Sequence, residues 1–142
     1  MEGEGKYTFN SGDLYIGHFS KGKKHGKGKL IYKASGDEYE GDWLLDKMTG
    51  KGRFIFKEEQ KEYEGDYVEG APYGYGIMKS PSFIYEGYFK SGLFEGQGKL
   101  EDFVNKIEFK GEYYDGKRRG HGKLIDLQNG DKFEGIWRED LK

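Results

Sequence analysis

Aromatic residues and glycines recur along this chain in one fixed pattern. Each repeat begins with an aromatic residue, called position 0, and continues with glycine at position 2 and a second aromatic residue at position 4. Paired glycines follow at positions 11 and 13, and an apolar residue follows at position 15. Successive first aromatics are 24, 24, 22, 24 and 24 residues apart, a period typical of repeat proteins. The residues at positions 0, 2 and 4 are Tyr15, Gly17, Phe19; Tyr39, Gly41, Trp43; Tyr63, Gly65, Tyr67; Tyr85, Gly87, Phe89; Phe109, Gly111, Tyr113; and Phe133, Gly135, Trp137.

This alternation predicts a β-hairpin in each repeat. Side chains alternate between the two faces of a strand, so positions 0, 2 and 4 lie on one face. The paired glycines and the apolar residue at position 15 continue the alternation on a returning strand. Between strands lie turn residues that tolerate positive φ, such as Gly22, the equivalent Asp46, and the SGD and NGD sequences at 11–13, 35–37 and 129–131. We therefore predict an all-β fold, an elongated single-layer twisted antiparallel sheet of successive β-hairpins.

The composition explains how such a chain can fold. Charged residues make up 35% and hydrophobic residues 34%, a balance associated with disorder, but 17% of the residues are aromatic. Glycine inside a strand costs roughly 0.5–1 kcal/mol relative to alanine. Rings from neighbouring strands offset this cost if they lie over the bare glycine backbone. The predicted core is therefore built on one face of one sheet.

The repeat resembles the MORN (membrane occupation and recognition nexus) repeat. The signature of that family is Y-x-G-x-[WFY], followed by a glycine-rich turn and H-G-x-G. The family's His is present only as His25 and is replaced by Thr49, Tyr73, Glu95 and Arg119. The segments that carry the resemblance are YIGHFSKGKKHGKG, YEGDWLLDKMTGKG, YEGDYVEGAPYGYG, YEGYFKSGLFEGQG and FKGEYYDGKRRGHG.

The repeats divide the chain into one array over residues 1–142. A half repeat opens the array at 1–14 and another closes it at 133–142, and together they would form one complete unit. We expect either a piece of a longer array or edge strands that pair with other chains, copies of this one included. The full repeats are 15–38, 39–62, 63–84, 85–108 and 109–132.

Several function classes have little support in the sequence. The net charge of −2 gives no reason to expect a nucleic-acid binder, and the absence of Cys, of a membrane-spanning apolar run and of a signal peptide predicts a cytoplasmic protein. Two G-x-x-x-x-G-K segments, 17–23 and 111–117, lack the Ser or Thr that a P-loop needs next, because Lys24 and Arg118 stand there. The three histidines are dispersed over different repeats. We therefore expect no catalytic residue, cofactor, metal or small-molecule substrate.

Two adjacent hairpin tips are rich in apolar and aromatic residues. Exposed groups of this kind are typical of hot spots in protein–protein interfaces. The alternative is that some of these rings fold back over the sheet. The candidate partner face consists of Ala71, Pro72, Tyr73, Tyr75, Leu93 and Phe94.

Basic residues crowd the tips of the first and fifth full hairpins. Such tips could contact an anionic surface, such as phosphoinositide headgroups, tubulin tails or RNA. The alternative is that they only keep the protein soluble. The candidate contacts are Lys21, Lys23, Lys24, Lys27, Lys29, Lys117, Arg118, Arg119 and Lys123.

These observations together predict a non-enzymatic scaffold or adaptor within a larger assembly. The resemblance implies two settings, namely cytoskeletal and ciliary assemblies, including axonemal ones, and the cytoplasmic side of membranes. For a chain that consists of repeats we favour the first. The alternative is a peripheral membrane module that binds anionic phospholipid through the basic tips.

Overall fold

The structure, a computed structural model, describes residues 2–138. Residue 1 and residues 139–142, which belong to the two predicted half repeats, lie outside the described range. Residues 2–138 form twelve β-strands and no helix. They divide into two compact units, unit 1 up to Ala71 and unit 2 from Pro72. The predicted all-β fold of successive antiparallel hairpins is confirmed.

Each unit is a six-stranded antiparallel sheet in which strands adjacent along the chain pair with each other. Unit 1 contains β1 (Gly3–Thr8), β2 (Leu14–Ser20), β3 (Lys23–Ile31), β4 (Glu38–Leu44), β5 (Lys47–Phe56) and β6 (Lys61–Val68). Unit 2 contains β7 (Ala71–Lys79), β8 (Phe83–Lys90), β9 (Leu93–Asp102), β10 (Ile107–Tyr114), β11 (Lys117–Asp126) and β12 (Lys132–Trp137).

The hairpin tips are tight turns whose two central residues both have positive φ. Lys21 and Gly22 have φ values of 52° and 76°, and Leu45 and Asp46 have 48° and 69°. Two positive φ values define a type I′ turn, whose twist matches that of the flanking strands. Asp46 takes the place of glycine, and its carboxylate accepts the backbone N–H of Lys24 at 2.8 Å.

A row of glycines crosses each unit, because glycine faces glycine in every strand pair. The first ring of the first, second, fourth and fifth full repeats extends over this row, and the first ring of every full repeat is fully buried. A Cβ atom added at Gly52 would lie 2.2 Å from Tyr39 Oη, and one at Gly98 would lie 2.2 Å from Tyr85 Oη. The rows are Gly5, Gly17, Gly28, Gly41, Gly52 and Gly65 in unit 1, and Gly76, Gly87, Gly98, Gly111, Gly122 and Gly135 in unit 2.

The buried tyrosines also satisfy their hydroxyl groups within the repeat. Tyr39 Oη donates to the carbonyl of Asp42 at 3.0 Å, and Tyr85 Oη donates to the carbonyl of Tyr88 at 2.9 Å. Burial raises the pKa of both phenols well above the usual range. The face that carries these rings is called the ring face below, and the opposite face is called the outer face.

The other glycine of each pair has a different role. Gly50 and Gly96 have φ values of 58° and 73° and lie where the register between neighbouring strands shifts. A residue with positive φ at such a shift forms a β-bulge, for which glycine is best suited. The bulge places position 9 opposite the second aromatic residue, so that Met48 faces Trp43 on the ring face.

Candidate interaction surfaces

The outer face carries cross-strand pairs between position 12 of one repeat and position 3 of the next. In unit 1 these are Lys27 with Asp42 and Lys51 with Asp66, and both are ion pairs. The hydrogen bond from Lys27 is the main cause that lowers the pKa of the Asp42 carboxyl. Opposite charges directly across a strand pair stabilise a sheet modestly. These two positions of unit 1 thus carry solvated, mutually compensated charges.

In unit 2 the first pair at these two positions consists of tyrosines, and the other two pairs are Gln97 with Glu112 and His121 with Ile136. Tyr75 in β7 faces Tyr88 in β8, and their rings meet edge to face with centroids 5.6 Å apart. Tyr75 is 43% exposed and Tyr88 is 50% exposed. The Tyr75 hydroxyl donates to the Glu86 carboxylate, and this hydrogen bond raises the pKa of Tyr75. We call Tyr75 and Tyr88 the outer tyrosine pair.

The structure corrects the predicted position of Phe94. Its ring does not project from an exposed hairpin tip but stacks on Tyr85 on the ring face, with centroids 3.7 Å apart and an interplanar angle of 3°. It also meets Phe89 and Tyr113 edge to face at 5.5 and 5.4 Å. The physical reason is the β-bulge, which places Phe94 opposite Phe89. Phe94 therefore helps to build the core, as in the alternative of a ring that folds back.

The other residues of the candidate partner face remain at or near the surface. Tyr73 is 45% exposed and Leu93 is 47% exposed, whereas Ala71 and Pro72 are half-buried. The Pro72 carbonyl accepts the Gly92 N–H at 3.0 Å. The structure thus keeps Tyr73, Tyr75 and Leu93 available for contact and removes Phe94 from the exposed set.

The basic tip of the first full hairpin is partly used inside the fold. Lys24 lies on the ring face, not at the free tip, with Nζ 4.9 Å from the Phe9 ring centroid and 5.3 Å from that of Trp43. The Lys24 side chain is only 15% exposed and is 3.7 Å from Asp46 Oδ1. Lys27 is paired with Asp42, and Lys29 Nζ lies 3.1 Å from Glu38 Oε1. Lys21 and Lys23 are exposed.

At the basic tip of the fifth hairpin, the two arginines likewise lie over aromatic rings of the protein. The Arg118 guanidinium carbon lies 5.0 Å from the Trp137 ring centroid and 5.4 Å from that of Phe109. Arg118 is therefore also on the ring face, because the bulge places it opposite Tyr113. The Arg119 guanidinium lies 4.9 Å over the Tyr114 ring.

Two further lysines complete that basic group. Lys117 is exposed at the tip, and half-buried Lys123 faces Lys110 and Glu134 across the strand pairs. Each basic group therefore presents fewer available cations than the sequence suggests.

Comparison with known families settles what kind of repeat this is. The MORN repeat family matches residues 1–14, 15–36, 39–58, 63–83, 85–102 and 109–126. The chain belongs to the MORN repeat family. No curated protein sequence matches this chain. The six matched MORN repeats begin at the residues where the sequence pattern places the start of each predicted repeat from 1 to 109.

The residue at the position of the family's His is not equally exposed in all of these MORN repeats. His25 is half-buried, and its Nδ1 has no hydrogen-bond partner within residues 2–138. Tyr73 takes the same position in the third repeat and is 45% exposed. The three histidines lie on β2, β3 and β11. Within the described range, no group of three or more His, Asp or Glu residues is arranged to hold a metal ion.

One residue of the outer tyrosine pair was not found by sequence reasoning. Tyr88 is at position 3, between the glycine and the second aromatic residue of a MORN repeat, and this position varies along the chain. The signal that singles it out is its cross-strand partner Tyr75. That partner becomes visible only when the register between β7 and β8 is known. A search for helices that could span a membrane finds none in residues 2–138.

Proposed function

We propose that this MORN-repeat chain is a non-enzymatic scaffold that holds a partner protein through the outer tyrosine pair of unit 2. MORN repeats are known in protein–protein and membrane-binding contexts. The observation that carries the proposal is the replacement of ion pairs by tyrosines at equivalent positions. Lys27 with Asp42 and Lys51 with Asp66 give way to Tyr75 with Tyr88.

Tyrosine at these positions is suited to binding. An exposed ion pair contributes only about 0–1 kcal/mol to stability, so its loss does not endanger the fold. A tyrosine side chain supplies a large apolar area and a hydroxyl group while losing little conformational freedom on binding. Both rings are about half exposed, so that a partner protein could bury much of their area. Tyr73 and Leu93 add exposed area within unit 2.

The proposed setting is a cytoskeletal or ciliary assembly in the cytoplasm, such as an axonemal one. This part of the proposal rests on the family, whose members occur in such assemblies, and on the predominance of repeats in this chain. The alternative, binding of anionic phospholipid, relies on the basic tips. Lys24 and Arg118 lie on the ring face, which leaves Lys21, Lys23 and Lys117 as the exposed tip lysines.

The repeats themselves supply a variant for the test. Tyr75→Lys with Tyr88→Asp would reproduce the pair that Lys27 and Asp42 form in unit 1, and should preserve the fold. The matched control is Lys51→Gln with Asp66→Asn, which removes the charges at an equivalent pair. The tagged full-length proteins would be used for affinity capture from an extract of the native cells, and captured proteins would be quantified by mass spectrometry.

We expect one set of cytoskeletal or ciliary proteins to be recovered with the wild type and with the control, and about tenfold less of it with the tyrosine replacement. A loss of that size corresponds to about 1.4 kcal/mol, within the range of an interface hot spot. Equal recovery with all three proteins would contradict the proposal. Recovery of anionic lipid that is lost in Lys21→Glu, Lys23→Glu and Lys117→Glu would favour the membrane alternative.

A further inference from the structure

Unit 2 has an open cavity on its ring face near the end of β9. The cavity has a volume of about 280 Å³. Its walls include Phe83, Phe94 and Leu100, and Val104 from the turn after β9 lies at its mouth. Asp102, the last residue of β9, lines one side. The cavity is therefore mainly apolar and aromatic, although it lies at the end of a strand.

The repeats of unit 1 fill the corresponding place with their own rings. Position 17 holds Tyr32 directly after β3 and Phe56 at the end of β5, whereas it holds Asp102 at the end of β9. The Tyr32 ring lies 6.0 Å from the Phe54 ring, and the Phe56 ring lies 4.5 Å from it. Leu100 is the equivalent of Phe54 at position 15. The ring face at the end of β9 thus lacks the last ring that is present at the ends of β3 and β5.

The Asp102 carboxylate is directed to the turn and does not fill this space. Its Oδ1 accepts the backbone N–H groups of Val104 and Asn105, both at 3.0 Å. Its Oδ2 accepts the Asn105 side-chain amide at 2.8 Å. These hydrogen bonds, chiefly the one from the Asn105 backbone, lower the pKa of Asp102. The carboxylate is therefore occupied by the turn, and the apolar walls remain uncovered.

The neighbouring strand supplies one ring but does not close the gap. Phe83 in β8 faces Asp102 directly across the strand pair. Its ring meets Phe94 edge to face at 6.2 Å. Phe83 and Phe94 thus form two walls, with the volume of about 280 Å³ left between them and Leu100.

We propose that this cavity receives an aromatic side chain of a partner protein. The repeats of unit 1 indicate the occupant, because they place an aromatic ring at the equivalent position. The size agrees, since an apolar cavity of about 150 Å³ already binds benzene. The walls Phe83 and Phe94 offer a further ring the edge-to-face or stacked contacts that aromatic side chains prefer. The site is on the ring face and is independent of the outer tyrosine pair.

The test uses N-acetyl-phenylalaninamide as the probe for an aromatic side chain. It would be titrated into the full-length protein carrying ¹³C-labelled methyl groups, with NMR detection of the Leu100 and Val104 methyl signals. We expect saturable shifts of these signals with a Kd of about 1–10 mM, the range for a fragment of this size. N-acetyl-leucinamide should bind at least about fivefold more weakly, because it lacks the ring contacts.

Two variants make the test specific to the cavity. Asp102→Tyr copies Tyr32 and should fill the space from within, so that the probe no longer shifts the Leu100 signals. The matched control is Asp126→Tyr, at the equivalent position in β11, where the carboxylate also accepts a turn N–H, that of Gln128 at 2.9 Å. This control loses the same kind of turn contact and should still bind the probe.

A third variant gives a test that does not require position 102 to accept a tyrosine. Val104 is 71% exposed, so Val104→Asp should fold normally and weaken probe binding by about tenfold by placing a charge at the apolar mouth. The proposal is overturned if the wild type shows no saturable shifts at Leu100 and Val104. It is also overturned if the leucine probe binds equally well, or if Asp102→Tyr binds as well as Asp126→Tyr.

Discussion

Unit 1 and unit 2 each have a core of the same kind and differ in what surrounds it. In both, a buried ring extends over a glycine of the next strand, Tyr39 over Gly52 and Tyr85 over Gly98, and a Cβ atom added at either glycine would lie 2.2 Å from the tyrosine Oη. On the outer face, however, unit 1 has an ion pair where unit 2 has Tyr75 with Tyr88. The comparison indicates that folding depends on a few positions of the repeat, and that the residues at other positions can vary between repeats.

We expect the greatest loss of stability from changes to the ring-on-glycine contact that occurs in both units. Gly52→Ala and Gly98→Ala each place a methyl group on a tyrosine ring that has no room to move. We expect each to lower the free energy of unfolding by about 2–3 kcal/mol, as overpacking does. Denaturant unfolding followed by tyrosine and tryptophan fluorescence would measure it.

The glycine row itself contains the control for this prediction. Gly5 in β1 belongs to the same row, but a Cβ added there would meet no atom within 4 Å. Gly5→Ala should change stability by less than about 0.5 kcal/mol. If Gly5→Ala were as harmful as Gly98→Ala, or if only one unit were sensitive, the feature common to the two cores would not be the ring-on-glycine contact.

A smaller effect is expected for the hydroxyl of the buried ring. Tyr39→Phe and Tyr85→Phe remove the hydrogen bonds to the carbonyls of Asp42 and Tyr88 and should each cost about 1 kcal/mol. The fifth repeat naturally has Phe109 at this position, and its ring covers Gly122 in the same way. Phe109→Tyr should therefore gain up to about 1 kcal/mol. Thermal unfolding of the three variants would measure these changes, and a destabilising Phe109→Tyr would refute the equivalence of the repeats.

Position 9 allows a test of whether the charge of Lys24 contributes to stability or only its packing over the rings. Lys24 covers rings in unit 1 as Phe94 does in unit 2, and the second repeat has Met48 at the same position. Lys24→Met should keep the free energy of unfolding within about 0.5 kcal/mol, because an apolar side chain replaces the cation over the rings. Lys21→Met, at an exposed tip, is the control for loss of charge alone. A large destabilisation by Lys24→Met, absent in Lys21→Met, would show that the cation itself is required.

The smallest expected effect is a difference in acid stability, which depends on the charged pair of Lys27 with Asp42 and not on the outer tyrosine pair. The folded state lowers the pKa of Asp42 below its usual 3.8, so the contribution of this pair to stability is complete above the unfolded pKa and is lost as the pH falls through the lowered value. Between pH 6 and 3 the wild type should therefore lose up to about 1 kcal/mol more stability than Lys27→Gln with Asp42→Asn. Replacing the outer tyrosine pair by Phe, as Tyr75→Phe with Tyr88→Phe, should leave the acid dependence of the wild type unchanged. Parallel acid curves for all three proteins would contradict the prediction.

The sequence predicted the hairpins and the one-sided core because both depend on local spacing. Tyr15, Gly17 and Phe19 alternate on one strand, and this pattern alone places them on one face. The positions of Lys24 and Phe94 could not be predicted in the same way, because each depends on a β-bulge that turns position 9 toward the rings. The pairing of Tyr75 with Tyr88 depends on the register between two strands.

The cavity beside Asp102 was also beyond sequence reasoning. A missing ring becomes evident only when position 17 is compared among repeats whose neighbouring side chains are known. The sequence alone indicates that Asp102 is an ordinary turn residue. Its carboxylate accepts the backbone N–H groups of Val104 and Asn105, which agrees with that role. The space that it leaves beside Leu100 is a property of the packed sheet.

We propose that the binding surface lies at the outer tyrosine pair of unit 2 and not at the equivalent pairs of unit 1. Site-specific photo-crosslinking in living cells would test this, with p-benzoylphenylalanine placed at Tyr75 in one protein and at Lys51 in another. We expect a crosslinked partner protein from position 75 and none, or far less, from position 51. Equal crosslinking from both positions, or a partner captured only from position 51, would contradict it.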